Sequence, residues 1–223
     1  MSPEMHRHFH DELSQLKEHV LEMSGKAEQA VGRAVDAFIS RDREMARSVI
    51  IRDADIDTLE VEIGDQITNL LARHQPVARD LRLVLAALKI SNDVERVGDH
   101  AVNIAQSART LSKLDASEPD PELGEMAQCA REMLASALTA FVRGDAALGR
   151  EVCRQDDRVD ALHRSIFQAW MTRMGDRPEV MEVAMEFMRV SRNLERVADL
   201  ATNIAEDVVF LVEGTNIAHG GGS

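Results

Sequence analysis

The sequence predicts an all-α protein, a tandem repeat of two antiparallel three-helix bundles with six helices in all. Composition is the first observation: aromatics make up 3% of the chain, Tyr is absent, and Ala, Leu, Val, Met, Glu and Arg dominate, most of them good helix formers. The second is rhythm, with apolar residues stepping by threes and fours, the spacing of a helix that buries one stripe. Duplication is the third. Glu95-Arg96-Val97-x-Asp99-x-Ala101-x-Asn103-Ile104-Ala105 returns 100 positions later as Glu195-Arg196-Val197-x-Asp199-x-Ala201-x-Asn203-Ile204-Ala205. Phe38 and Asp53-x-x-Ile56-Asp57-x-Leu59 return 103 positions later as Phe141 and Asp156-x-x-Val159-Asp160-x-Leu162. The change of offset between blocks implies a shorter turn in the second half of a collinear repeat.

The first helix carries Leu13, Leu16, Val20, Met23, Ala27, Ala30, Ala34 and Ala37 on one seam. A turn follows at Ser40 to Asp42, matched by Gly144-Asp145 in the second half. Ile56, Leu59, Ile63 and Leu70 mark the second helix; their copies are Val159, Leu162, Ile166 and Arg173, and the arginine predicts a helix losing its core near its end. Gln75-Pro76 breaks that helix in the first half, and Gly175 to Pro178 in the second. The third seam runs through Leu83, Ala87, Ile90, Val94, Val97, Ala101, Ile104, Ala108 and Leu111, and every position 100 further on is again apolar, from Val183 to Leu211. A Pro-rich stretch, 115–121, reads as the linker between bundles at 1–114 and 122–214, and 215–223 reads as a polar, Gly-rich tail. Helices of about 20 to 35 residues with short connections suit antiparallel bundles.

Charge narrows the partners. With 26 basic against 39 acidic residues the net charge is −13, which repels nucleic acid and anionic headgroups, and no Lys/Arg run offsets it. Cys129 and Cys153 are far apart, lack a Cys-x-x-Cys partner and come without a secretory leader, as in a reduced cytoplasmic protein. No stretch approaches the ~18 apolar residues of a membrane span, so membrane contact is expected only through a partner.

Glu95, Asp99 and Asn103 fall at i, i+4 and i+8, which drift by only ~40° per step around a helix and so share one stripe. With Val94 and Val97 turned inward, that stripe lies on the outer face, where acids are usually just solvated. Three features favour ligands. Carboxylates at i, i+4 repel and cost a helix a few tenths of a kcal/mol. Asn103 and Asn203 are modest helix formers where solvent alone gives no reason to choose Asn twice. The second helix repeats the device with Asp53 and Asp57, and again with Asp156 and Asp160. Oxygen donors suit Mg, Mn, Ca or Fe and accept Zn less specifically. A ferritin-like di-iron centre is disfavoured because Glu-x-x-His spacing is missing; Asp160-x-x-His163 comes near it in one copy, and His100 becomes Leu200 in the other. Both histidines are expected to face solvent. Arg96 and Arg196 read as ion-pair or snorkelling residues, Asp55, Glu60 and Glu62 as surface charge, and His6, His8 and His10 as part of a frayed first turn. Met23, Met126, Met133, Met185 and Met188 read as core filler. Ser91 and Ser191 have no triad partner.

Gln75-Pro76-Val77-Ala78-Arg79-Asp80-Leu81-Arg82, followed by Glu95-Arg-Val-Gly-Asp99 and Asn103-Ile-Ala, closely resembles the PhoU phosphate-signalling regulators, a likeness running from Leu13 to Gly214. The resemblance implies two three-helix bundles whose surfaces carry multinuclear iron or zinc clusters. One cluster would use Asp53, Asp57, Glu95, Asp99 and Asn103, the other Asp156, Asp160, Glu195, Asp199 and Asn203, with His100 against Leu200 arguing for unequal occupancy. It further implies a cytoplasmic protein, often a homodimer, recruited peripherally to the inner membrane. There it would link the ATPase subunit of the high-affinity phosphate transporter to a sensor histidine kinase and keep the starvation response off. The expectation is therefore a non-enzymatic metal-binding adaptor. The alternatives are a carboxylate-bridged metal-dependent hydrolase or oxidase, and a helical assembly protein without metal.

Overall fold

The computed structural model describes residues 3–114, 120–215 and 217, with the backbone alone of residues 3–7. The helices are α1 (Pro3–Ser40), α2 (Arg43–Arg52), α3 (Ala54–His74), α4 (Ala78–Leu111), α5 (Pro121–Arg143), α6 (Ala146–Asp176) and α7 (Met181–Glu213), with a 3₁₀ turn at Pro178–Val180. They make the six rods of two three-helix bundles, because α2 and α3 are one rod interrupted at Asp53. Asp53 keeps right-handed dihedrals (φ −58°, ψ −38°), and its carbonyl accepts from both Ile56 N–H and Asp57 N–H, so the path tightens without turning away. α6 runs unbroken through the equivalent Asp156.

Every seam residue of the third helices is buried in α4 and α7, and those of α1 are buried apart from the half-buried Ala30. α1 packs on α4, and α5 and α6 pack on α7. α4 and α7 then pack on each other across the repeat, giving one continuous core. They run antiparallel: Arg82 Nε–H donates to the Leu211 carbonyl (3.2 Å), Lys89 Nζ to Asp207 Oδ1 (2.7 Å), and His100 Nδ1 lies 2.9 Å from Asn193 Oδ1.

The repeated turns use the same closure. The N–H of Asp42 donates to the Ala37 carbonyl (3.0 Å) and that of Asp145 to the Ala140 carbonyl (2.9 Å). Each aspartate then caps the next helix through its side chain. Between them the chain must turn left-handed, and the repeat solves this with Arg41 (φ 57°) in one half and Gly144 (φ 62°) in the other. A methyl at Gly144 would meet only Val212 at 3.8 Å, so Gly144→Ala is a purely conformational change. It is expected to cost about 1 kcal/mol, lowering Tm by roughly 2–4 °C for a chain of this size, as measured by thermal unfolding followed by circular dichroism.

Three expectations are revised. Arg173 does not mark the loss of a core: its guanidinium lies 4.6 Å over the ring of buried Trp170, which stacks on Phe187 (4.4 Å), itself edge-on to Phe38 (5.0 Å). The indole N–H donates to Asp120 Oδ2 (3.0 Å), so the same aspartate that caps α5 also anchors this aromatic stack. Met185 is half-exposed rather than core, because it sits on the flank of α7 away from the seam. From His8 onward the start of α1 is held in place: Phe9 is buried against His74 (ring centroids 5.0 Å), and Glu12 receives His8 Nε2 at 3.2 Å and His74 Nε2 at 2.7 Å, while the side chain of His6 lies outside the described ones. Cys129 is buried. The helices end at Leu111 and resume at Pro121, and of the predicted linker 115–119 lies outside the described residues, as do 216 and 218–223 of the predicted tail. Among the described residues no helix is long and apolar enough to cross a membrane.

Candidate metal centre

Two patches of acids form where the second rod of each bundle crosses its third helix. In the first, Asp53 and Asp57 face Glu95 and Asp99. The Asp53 carboxyl is pushed up to about 6, by burial first and then by the Asp57 and Asp99 charges. Glu95 is also raised, by burial and then by Asp99, Glu60, Asp57 and Asp53. The second patch matches it: Asp156 is pushed up to about 6 by burial and then by Asp199, Asp160, Asp157 and Glu195. Acids from two helices thus share one field in each half, as the doubled motif predicts.

Asp53 reaches α4 because residue 98 is Gly. A Cβ there would stand 3.0 Å from Asp53 Oδ1 and 3.0 Å from Ile56 Cδ1. The second copy has buried Ala198 instead, so Asp156 must approach its helix differently.

The expected donors do not all behave alike. Asn103 and Asn203 are exposed one turn beyond the aspartates, and Asn203 lines a cleft of about 540 Å³ between α4 and α7 with Lys89, Asp93 and Arg96. Arg96 pairs with Asp93 (3.3 Å) on that side, whereas Arg196 pairs with Asp199 (2.8 Å) and Arg164 with Asp160 (3.6 Å) inside the second patch. Among the described residues none of Asp53, Asp57, Glu95 or Asp99 has such a cationic partner.

Neither histidine simply faces solvent. His100 Nδ1 is bonded to Asn193 at the contact between halves, on the flank of α4 away from the acids. His163 sits in the second patch, its Nδ1 3.1 Å from Ser191 Oγ and its Nε2 4.0 Å from Glu195 Oε2. Its counterpart 103 positions earlier is Glu60, whose charge acts on Glu95. Position 60/163 is therefore a member of each patch that the motif alone missed; the shared offset was the available signal, hidden because the two residues differ in type. The halves consequently differ in chemistry: Glu60 adds a carboxylate to the first patch, whereas the second has the His163 imidazole at that place, the added charge of Asp157 and two arginine partners.

A hard cation fits the first set. Burial and mutual repulsion both disfavour its charged form, and a cation at the patch offsets both at once. Among the described residues no three acid, histidine or cysteine side chains close around one point as a metal site does.

A raised carboxylate also has a sign for stability. An aspartate at about 6 when folded and near 3.8 when unfolded binds its proton more tightly in the folded state. Folding stability therefore falls as pH rises from about 4 to about 6. Asp53→Asn is expected to raise the Tm of metal-free protein at pH 7 by a few degrees, about 1 kcal/mol once solvent screening at this half-exposed site is allowed for. It should also flatten the pH dependence between those limits, which calorimetry across pH would read.

Matches to known proteins give this arrangement its family. A model of the PhoU domain matches twice, at residues 20–108 and 123–208. The chain belongs to the PhoU family. It is 35% identical to a phosphate-specific transport system accessory protein PhoU homolog of Pseudomonas aeruginosa, over 95% of this chain and 88% of that one. It is 32% identical to the homolog of Clostridium acetobutylicum, over 94% of this chain and 96% of that protein. The crystal structure of PhoU from Pseudomonas aeruginosa superposes with a TM-score of 0.89 at 35% identity, covering 93% of this chain and all of the other. The phosphate transport system regulatory protein PhoU from Streptococcus pneumoniae superposes at 0.88 with 28% identity, covering 93% and 98%. Both PhoU domains contain a patch: Asp53 and Glu95 lie within the first match, Asp156 and Glu195 within the second.

Proposed function

We propose that this protein is a metal-binding negative regulator of phosphate uptake and of the phosphate-starvation response. It acts as a cytoplasmic adaptor between the ATPase subunit of a phosphate transporter and a sensor histidine kinase at the inner membrane. The observation that carries the metal is the pair of acid patches whose carboxylates share one field on the outer face. The names of the relatives, accessory and regulatory proteins of phosphate transport, support the role. Asp53, Asp57, Glu60, Glu95 and Asp99 would hold one cluster, and Asp156, Asp160, His163, Glu195 and Asp199 the other, with Asn103 and Asn203 as outer donors. An all-oxygen set favours iron, manganese or magnesium, and the imidazole of the second set widens the choice to zinc. Bound cations supply charge neutralisation here, turning two repelling faces into rigid surfaces on which a partner docks. The alternative of a carboxylate-bridged hydrolase or oxidase needs an enclosed substrate site, and both patches stand on open helix faces.

Two copies of the chain are proposed to pair. Phe167 and Met171 of α6, and Met181 and Met185 of α7, expose large apolar side chains on neighbouring helices, as a self-complementary interface requires.

The test is complementation in phosphate-replete cells lacking the regulator. Wild type is expected to silence a starvation-inducible phosphatase reporter and to pull down both the transporter ATPase and the kinase. A variant with Glu95, Asp99, Glu195 and Asp199 replaced by Ala should do neither at equal protein level; full silencing by that variant defeats the metal-dependent reading, and failure of wild type to capture either partner defeats the adaptor.

A further inference from the structure

The repeat offers an internal reference for every surface, and at one place the halves depart from it in a single direction. In the second half, where the start of α6 meets the end of α7, the residues are Ala146, Arg150, Val209 and Glu213, and Arg150 is neutralised by Glu213. The equivalent positions in the first half are Arg43, Arg47, Arg109 and Lys113. One neutralised arginine has become four positive charges. Arg43 and Arg47 sit one turn apart on α2, and together with Glu44 and with Arg109 of α4 they line a concavity of about 330 Å³. Among the described residues none of the three arginines makes a side-chain ion pair or hydrogen bond. Three like charges gathered against the single acid Glu44 oppose folding unless an anion joins them, so the cluster calls for a ligand.

We propose that Arg43, Arg47 and Arg109, with Lys113 in the turn that follows α4, bind a compact oligophosphate, two or more adjacent phosphoryl groups on one molecule. Guanidinium forks match phosphate oxygens two at a time, which ammonium groups do not. Three forks converging from two helices satisfy more than one tetrahedral anion, and the concavity accommodates such a chain. A flat lipid surface would meet only the protruding tips. The net charge of −13 opposes any anion, but beyond about 10 Å it is screened at ordinary ionic strength, whereas the arginines line the site itself. Glu44 is the one acid in the concavity and should weaken binding.

The test is calorimetric titration of metal-stripped full-length protein with tripolyphosphate, ATP and orthophosphate, beside sedimentation with vesicles of phosphatidylcholine and phosphatidylglycerol. Tripolyphosphate is expected to bind at least about ten-fold more tightly than orthophosphate, weakening as salt rises. Arg47→Ala/Arg109→Ala should lose at least about ten-fold, Glu44→Gln should gain about two-fold, and Arg150→Ala in the other half should change nothing. Equal affinity for ATP assigns the site to the phosphoryl chain, and tighter ATP binding assigns it to a nucleotide; both support the proposal. Binding indifferent to the arginines, absence of oligophosphate binding, or binding to anionic vesicles alone overturns it. All of these changes lie away from both acid patches, so the outcome is independent of metal occupancy.

Discussion

Protein purified from cells without added metal is expected to carry transition metal, and the Glu95→Ala/Asp99→Ala/Glu195→Ala/Asp199→Ala variant to carry less than about a tenth as much by elemental analysis. The magnitude follows from what each change removes. Two of four core carboxylates leave each patch, and oxygen-donor sites lose affinity steeply with ligand charge. Separating the halves sharpens the result. Removing Glu95 and Asp99 alone should strip the site whose acids have no cationic partner among the described residues. Removing Glu195 and Asp199 should strip the one in which Arg196 and Arg164 already hold Asp199 and Asp160. Because those arginines compete with a cation, the first site should retain metal longer under a weak chelator. Binding at both should strengthen as pH rises through about 6, where Asp53 and Asp156 lose their protons. Equal metal content in wild type and the quadruple variant would remove these acids from the metal site.

The largest loss of stability is expected at the aromatic stack. Phe187 touches Trp170 on one side and Phe38 on the other, so it joins α7 to α6 and to α1. Phe187→Ala opens a cavity among three helices and should cost about 3–5 kcal/mol, lowering Tm by roughly 6–20 °C at 2–4 °C per kcal/mol. Phe187→Leu keeps most of the volume and should lose much less. A denaturant midpoint shift with unchanged slope would report a pure stability effect. A loss below about 1 kcal/mol would mean the surrounding helices close the gap.

The folding rule and the site are written at different levels. Every seam residue named on α4 and α7 is buried, because a period of 3 and 4 fixes the inward face whatever the neighbours are. The doubled motifs likewise fixed the pairing of second and third helices in each half, since a tandem copy must pack as its original does. Misreadings arose where a residue's environment is completed by another helix. Arg173 looked like the end of a core because its ring partner is three residues back on the same helix and that ring is buried by α7. His8 reads as part of a fraying turn because the partners that hold this stretch, Glu12 and its neighbour His74, include one that lies far along the chain.

From the chain alone came the all-α tandem repeat, the family likeness, and eight acids on outward stripes, because periodicity and duplication are local or self-referential properties of a sequence. Tertiary structure alone decided that Glu60 and His163 join those acids, that His100 serves the contact between halves, and that arginines scattered over positions 43 to 109 meet in one concavity. The physical reason is that electrostatic and hydrogen-bonding partners act over a few ångströms in space, and helices lying side by side bring to that distance residues that no spacing along the chain connects.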